Sequence, residues 1–511
     1  MFNLRERGAT VWGEIRGGLV TFLTLSYILF VQPAVLSDVG MPRGDVFVAT
    51  CVCSALACFL MAFAANYPFA LAPAMGHNFF FAYTVCLAMG IAWPAALLAN
   101  LIAGGVFLVL SFFGLREAVM RAVPDNLKYA IAVGIGLLIA FSGLQWGGIV
   151  QNSPATLVRL GSVTSPVVLV SLAGVAVIAV LLVLRVKAAI LIGILVTAVL
   201  ALGVSHGLDL SYEPADGLEV IPADRVDERA DALASAAADP VEPVDPDRVR
   251  MSLAQWPERW HLPGWPTETL GAAVTRGWRL LAGRPWTSVV LVIFIFLFLD
   301  MFDTVGTLIG VGERAGFLDE RGHLPRARQA LFSDAAGTVA GALVGTSTVT
   351  TYIESAAGVE SGARTGLASI VTGVCMLAAL LVLPLVHVVG AGVEFAAADT
   401  GEPLVQVARG TVTVVPMRPV IAPVLVLIGV MMVGSVVKIR WGDYTEAIPA
   451  FLAIVIMQFS FSITDGIAWG FISFVLLKAV TRRFGDLHWL VVVFAVLFIA
   501  QYAARALLMG G

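Results

Sequence analysis

Asp300 and Asp303 interrupt an apolar run over residues 286–312 that is long enough to cross the hydrocarbon of a bilayer. A carboxylate at that depth costs about 3 kcal/mol or takes up a proton, so acids there usually face a wet cavity and mark a path for an ion or a substrate. Their spacing of three places both on nearly one helix face, aimed at the same cavity. Two such carboxylates cannot easily both stay ionised in a partly dry site, so one should hold a proton. The plainer account is a pair that snorkels from a helix end, or two protonated acids bonded to a neighbouring helix. Neither acid lies near enough to an end to snorkel easily.

More polar groups cluster in two apolar stretches broken by Gly, Pro, Ser and Thr, over residues 69–87 and 347–361. In the first, Pro73 disfavours helix at Ala72 and suits a helix opening near Met75. In the second, the β-branched run over 346–351 precedes a helix expected to open near Tyr352. Each reads as a short extended piece feeding a half-helix, whose first N–H groups offer partial positive charge to a polar ligand. Backbone of that kind survives at membrane depth only when it is buried in protein or lines a cavity.

Around these starts stand Asn78, Glu354 and the hydroxyls of Ser347, Thr348, Thr350 and Thr351. Asn78 donates and accepts at once, while an ionised Glu354 accepts strongly from N–H donors. With Asp300 and Asp303, the set suits a small, flat, uncharged molecule rich in N–H and C=O groups. Phe79, Phe80, Phe81 and Tyr83 offer a stacking surface, although core or lipid contact is the plainer account of any one ring. The corresponding plain accounts are an ion pair between helices for Glu354 and an interhelical bridge for Asn78.

The elements that position these groups follow from composition. Of 511 residues, 59% are hydrophobic and only 13% are charged, which no soluble domain needs. The reading is an all-α polytopic membrane protein. Apolar runs fall at about 17–37, 45–65, 93–114, 127–144, 165–185, 187–205, 286–311, 331–346, 364–390, 419–437, 446–463 and 465–483. The two broken stretches raise the count to about fourteen spans, and a further run near 487–507 is a doubtful extra span or interfacial helix. Arg5, Arg7 and Arg16 place the N-terminus, residues 1–16, in the cytoplasm of a cell carrying the protein in its plasma or inner membrane. The even connections are then cytoplasmic and hold Lys and Arg all along the chain, while the short connections assigned outside are nearly free of them.

Residues 206–285 form an extracytoplasmic hydrophilic insertion whose acidic, Pro- and Ala-rich centre is expected to be flexible. Three tryptophans at its far end, Trp256, Trp260 and Trp265, could lie on the membrane face. The insertion divides a first set of seven spans (17–205) from a second (286–483), with 484–511 as an apolar tail. An odd number of spans per half inverts the second half relative to the first. Each half carries its broken stretch in third position, the third and tenth spans overall, which is the best sequence pointer to a transporter's binding site.

Net charge of −4 offers no basic surface for nucleic acid. Cys51, Cys53, Cys58, Cys86 and Cys375 all lie in apolar runs and the six histidines are scattered, so no metal site is visible. No cofactor is implied.

These segments resemble the nucleobase–cation symporter superfamily of xanthine and uracil permeases, and within it the AzgA-like purine permease branch. The matching phrases are TFLTLSYILFVQPAVLSDVGMP from Thr21, ANYPFALAPAMGHNFFFAYTV from Ala65, FLDMFDTVGTLIGVGERAG from Phe298, GTSTVTTYIESAAGVESGARTGLAS from Gly345 and DYTEAIPAF from Asp443. The resemblance implies fourteen spans in a seven-plus-seven inverted repeat, divided into a core domain (spans one to four and eight to eleven) and a gate domain (the remainder). It implies import of a purine nucleobase, of the hypoxanthine, guanine and adenine class, coupled to a proton by alternating access. The implied partners are the base, the proton and the lipid bilayer, with room for a homodimer. The branch's functional positions map onto Asn78, Asp300, Asp303 and Glu354, with Thr307 and Thr351 facing the same pocket; Asp303 is favoured as the proton-linked acid. This chain departs from the usual phrase at Ala74, His77 and Phe79. The last two flank Asn78, and His77 is a candidate proton-sensitive group, its unperturbed pKa being about 6.5.

Rival readings are a uracil- or xanthine-specific permease, a sulfate or bicarbonate transporter of the same architecture, a channel, and an intramembrane enzyme. An anion site favours cationic groups over three carboxylates. A channel wants a continuous polar lining, whereas the polar residues here gather at one depth. No nucleophile–base or metal motif supports an enzyme.

Overall fold

Thr10 accepts from the Gly13 amide and so opens α1 (Val11–Leu25); after a break at Ser26 and Tyr27 the chain continues as α2 (Ile28–Ser37). Helix α3 (Arg43–Leu60) widens into a π-type turn over Met61–Ala65. Strand β1 (Leu71–Pro73) then leads into α4 (Met75–Phe79), which runs on in π-type turns as far as Ala88. Next come α5 (Trp93–Phe113) and α6 (Asp125–Trp146), then the hairpin of β2 (Val150–Ser153) and β3 (Leu157–Leu160). The first half ends with α7 (Pro166–Val183) and α8 (Ala189–Gly207).

Between the halves lie β4 (Leu218–Pro222), β5 (Val249–Ser252) and the short α9 (Trp278–Ala282). The second half opens with α10 (Trp286–Arg314) and α11 (Ala327–Val344), followed by β6 (Val349–Thr351) and α12 (Ser355–Glu360). Helices α13 (Gly366–Ala378) and α14 (Leu383–Gly390) precede β7 (Glu394–Ala397) and β8 (Pro403–Ala408). The chain closes with α15 (Ala422–Val433), α16 (Tyr444–Phe459), α17 (Ile463–Val480) and α18 (Trp489–Met509). This is a computed structural model, and it describes residues 2–113, 123–153, 156–207, 218–225, 243–245, 248–254, 263–319, 324–390, 392–397, 402–408 and 416–509. Among them, nine helices are long and apolar enough to cross a membrane, and shorter apolar helices cover 422–438, 444–459 and 489–503.

The helices fall on the apolar runs of the sequence, and each half has its broken crossing where the breaks in pattern place it. The 206–285 insertion differs from expectation. Its acidic stretch supplies β4 and β5 to a four-stranded antiparallel sheet in the order β4-β8-β7-β5, with Val220, Ile221, Val249 and Met251 buried. Composition averages hide two short apolar–polar alternations whose partners lie about 140 to 190 residues further along, in the second half. Residues 226–242, the most acidic part, lie outside the described residues, as do Trp256 and Trp260; Trp265 is 62% exposed.

Two compact units result. The larger comprises residues 1–139, 262–383 and 429–511. One apolar cluster joins Cys53, Ala57, Tyr67 and Leu71 of the first half to Leu308, Val311, Val349 and Ala356 of the second. Within it, the doubtful tail is helix α18, whose Phe494 ring packs against Phe294, Phe298 and Phe471. The smaller unit, residues 140–261 and 384–428, holds α7 against α8 and the four-stranded sheet. Its helix pair meets at Gly174, where an added Cβ would stand 2.6 Å from Thr197 Oγ1. Every residue singled out for chemistry lies in the larger unit.

Candidate substrate site at the two broken crossings

Strands β1 and β6 pair antiparallel, with Leu71 opposite Thr351, Ala72 opposite Thr350 and Pro73 opposite Val349. The ladder extends at both ends: the Ala74 amide donates to the Thr348 carbonyl, and the Tyr352 amide to the Ala70 carbonyl, each at 2.9 Å. The strand backbones thus satisfy one another where no water or helix would. Helix α4 starts at Met75, as Pro73 predicts. Helix α12 starts at Ser355 rather than near Tyr352, because residues 352–354 form turns first. The amides of Ser355, Ala356 and Ala357 donate to the carbonyls of Tyr352, Ile353 and Glu354 at 3.0–3.2 Å. Those amides are therefore occupied, and the polar chemistry of the second crossing falls to side chains.

Each strand is also held from behind by one residue of a neighbouring helix. Cys58 of α3 accepts from the Leu71 amide at 3.3 Å and lies 3.5 Å from its carbonyl. In the other half, Thr338 of α11 accepts from the Val349 amide at 3.3 Å and donates to its carbonyl at 2.9 Å. The same hydroxyl lies 3.2 Å from Asp300 Oδ2, and its single proton serves the nearer carbonyl first.

The predicted residues divide into two groups. Asn78, fully buried, accepts from the Ser347 hydroxyl, while its amide nitrogen has no hydrogen-bond partner among the described residues. His77 beside it is 2% exposed, neither ring nitrogen has a hydrogen-bond partner among the described residues, and its Nδ1 stands 4.0 Å from Asp303 Oδ2. Asp303 accepts from Thr350 at 3.3 Å and keeps 46% of its side chain exposed. Glu354 is partly exposed and accepts from the Tyr27 hydroxyl at 2.8 Å. Phe79 is buried with its ring centroid 5.3 Å from that of Tyr83, and Thr307 is partly exposed one turn beyond Asp303.

Asp300 and Thr351 form the second group and turn toward α11. Asp300 is 2% exposed against Thr338. The backbone and hydroxyl of Thr351 both donate to Asp334 Oδ1, at 2.9 and 3.1 Å. The shared helix face expected for the two aspartates therefore splits by depth: Asp303 is open, and Asp300 is buried against α11.

Intramembrane carboxylates thus stand beside a pair of strand-to-helix breaks contributed by both halves of the chain. The family described as Permease family, Xan_ur_permease, matches residues 13–235 and 276–398. The chain belongs to this family. Among its relatives, the guanine/hypoxanthine permease PbuO of Bacillus subtilis is 35% identical, with 98% of this chain and 99% of the relative covered. The adenine permease AdeP of Escherichia coli is 36% identical, covering 98% of this chain and 95% of the relative. In fold, the permease is similar to the transmembrane domain of the cyanobacterial bicarbonate transporter BicA, with TM-score 0.54 and 14% identity over 89% of this chain and 97% of that one. It is likewise similar to the murine solute carrier 26 family member A9 anion transporter, with TM-score 0.55 and 11% identity over 92% and 68%.

Several residues that build this permease site escaped sequence reasoning. Asp334 receives Thr351 on one oxygen and the Thr304 hydroxyl on the other at 2.6 Å, so it joins α10, α11 and β6. Asn100 accepts from Thr348 at 2.7 Å. Gln32 donates to Thr346 at 2.8 Å and Ser347 at 3.1 Å. All three are polar residues inside apolar runs, so the criterion that found Asp300 could have found them. Tyr27 carries no such signal, since a tyrosine in a span is ordinarily read as packing.

Proposed function

We propose that this permease imports purine nucleobases, of the hypoxanthine, guanine and adenine class, as a proton symporter. The carrying observation is the meeting of the two crossings. It sets an amide donor on Asn78 and a carboxylate acceptor on Glu354 at the strand-to-helix breaks, with Asp303 reaching both crossings through His77 and Thr350. A purine base presents both N–H donors and ring or carbonyl acceptors on one flat edge, and the ring of Phe79 suits its face. The printed names of PbuO and AdeP, a guanine/hypoxanthine and an adenine permease, support the same class.

In this reading Asp303 is the proton-linked acid with His77 beside it. Fourteen spans form a core that carries the site and a gate against which it moves, in a cell membrane with the N-terminus cytoplasmic. The likeness to bicarbonate and other anion transporters is one of fold; acidic side chains at the breaks oppose an anionic cargo. Uptake of labelled hypoxanthine, guanine, adenine, xanthine and uracil by proteoliposomes, with and without an inward proton gradient, tests the proposal. The expected result is gradient-driven accumulation of at least one of the first three, abolished by a protonophore. Transport of sulfate or bicarbonate with no nucleobase movement would overturn it.

A further inference from the structure

We infer that Tyr27 is a positioning residue for Glu354, holding one carboxylate oxygen so that the other is presented to the base. This rests on the nucleobase reading above and names a residue of the same site.

The geometry starts in span one. Thr21, Thr24 and Ser26 turn their hydroxyls back onto carbonyls three or four residues earlier, at 2.9–3.1 Å. Such back-bonding offers the backbone an alternative to the helix ladder and bends it, and here α1 ends at Leu25. The break places Tyr27 between two helices, and its side chain is only 3% exposed. Burying a phenol requires a hydrogen-bond partner, and the Tyr27 hydroxyl donates to Glu354 Oε1 at 2.8 Å.

The rest of the contact is rigid. Helices α1 and α12 meet backbone to backbone: a Cβ on Gly358, one turn after Glu354, would stand 2.0 Å from Thr21 Oγ1 and 2.6 Å from the Gly17 carbonyl. Tyr352, whose ring centroid lies 6.4 Å from that of Tyr27, donates its hydroxyl to the Pro73 carbonyl of the first crossing. Span one, the second half-helix and β1 are therefore locked around a single carboxylate. A hydroxyl–carboxylate bond of this length fixes the plane of a side chain that otherwise has three rotatable bonds.

The test is a double-mutant cycle on purified full-length protein, reading equilibrium binding of the bases that the wild type transports. Tyr27→Phe removes only the hydroxyl and should weaken binding about tenfold. In a Glu354→Ala background the same change should alter binding by less than about twofold, because the side chain it orients is already gone. An equal loss in both backgrounds, or wild-type affinity in Tyr27→Phe, overturns the inference. Thermal unfolding of the same four proteins without ligand supplies an independent arm, in which non-additive losses support the tie and additive losses overturn it. Should the wild type bind no nucleobase, the functional reading fails, while the unfolding cycle still decides whether Tyr27 and Glu354 are coupled.

Discussion

The two broken crossings share one backbone design and differ in almost every side chain. Both have three strand residues, both have a helix that follows, and their end rungs, Ala74 to Thr348 and Tyr352 to Ala70, are related by the local two-fold of an antiparallel pair. The first crossing then turns inward Met75, His77 and Asn78, each 7% exposed or less. The second offers hydroxyls and the partly exposed carboxylate of Glu354. A repeat of this kind supplies symmetric scaffolding, because each strand satisfies the other's hydrogen bonds at membrane depth. On the proposed reading, recognition comes from the asymmetry: a donor on one side and an acceptor on the other suit a ligand that has both.

The largest predicted effect concerns the group that touches both sides. Asp303 accepts from Thr350 of the second crossing and stands 4.0 Å from His77 of the first. Asp303→Asn mimics the protonated acid, so it should abolish uphill accumulation driven by a pH gradient while counterflow exchange persists. Normal pH-driven accumulation by the variant would move the coupling role to Asp300, Glu354 or His77. Next in size is a contrast between the two crossings themselves. Glu354→Gln removes a charged acceptor, at about 1.5–3 kcal/mol or roughly ten- to a hundredfold in affinity. Asn78→Ala removes a neutral donor, at about 1 kcal/mol or roughly fivefold. Binding titrations on the two purified variants check the order. Equal losses would mean that the carboxylate is not what distinguishes the second crossing.

How much of this was legible beforehand follows the range of the interactions. The helices were, since an apolar run at membrane depth has no other way to satisfy its backbone. So was the start of α4 at Met75, which Pro73 sets locally. The start of α12 was not: a β-branched run says where helix is disfavoured, while the turn over 352–354 depends on Tyr352 bonding across to Ala70 and Pro73. The sheet of β4 and β5 was missed for the same reason, its partners being remote in sequence. Asp300 and Asp303 were found as a pair, yet the spacing that puts them on one face could not say that Thr338 would bury one and leave the other open. Side-chain depth is a property of the neighbouring helix.

The smallest predicted effect lies behind the strands, where the two halves fill one slot with different chemistry. Cys58 holds Leu71 through a thiol, a weak donor and weak acceptor; Thr338 holds Val349 through a hydroxyl and also touches Asp300. Thr338→Val keeps the side chain's shape but leaves the Val349 amide and carbonyl short of a partner, so it should cost about 1–3 kcal/mol of stability. Cys58→Ala forfeits two weak sulfur contacts and a small volume, and should cost about 1 kcal/mol. Thermal unfolding in one detergent ranks the two, and Thr338→Val should melt lower while both still bind the base. If Cys58→Ala proves the more damaging, the first crossing depends on its back anchor as much as the second does. The asymmetry would then belong to the ligand-facing side chains alone, with the scaffold behind them symmetric in energy as well as in backbone.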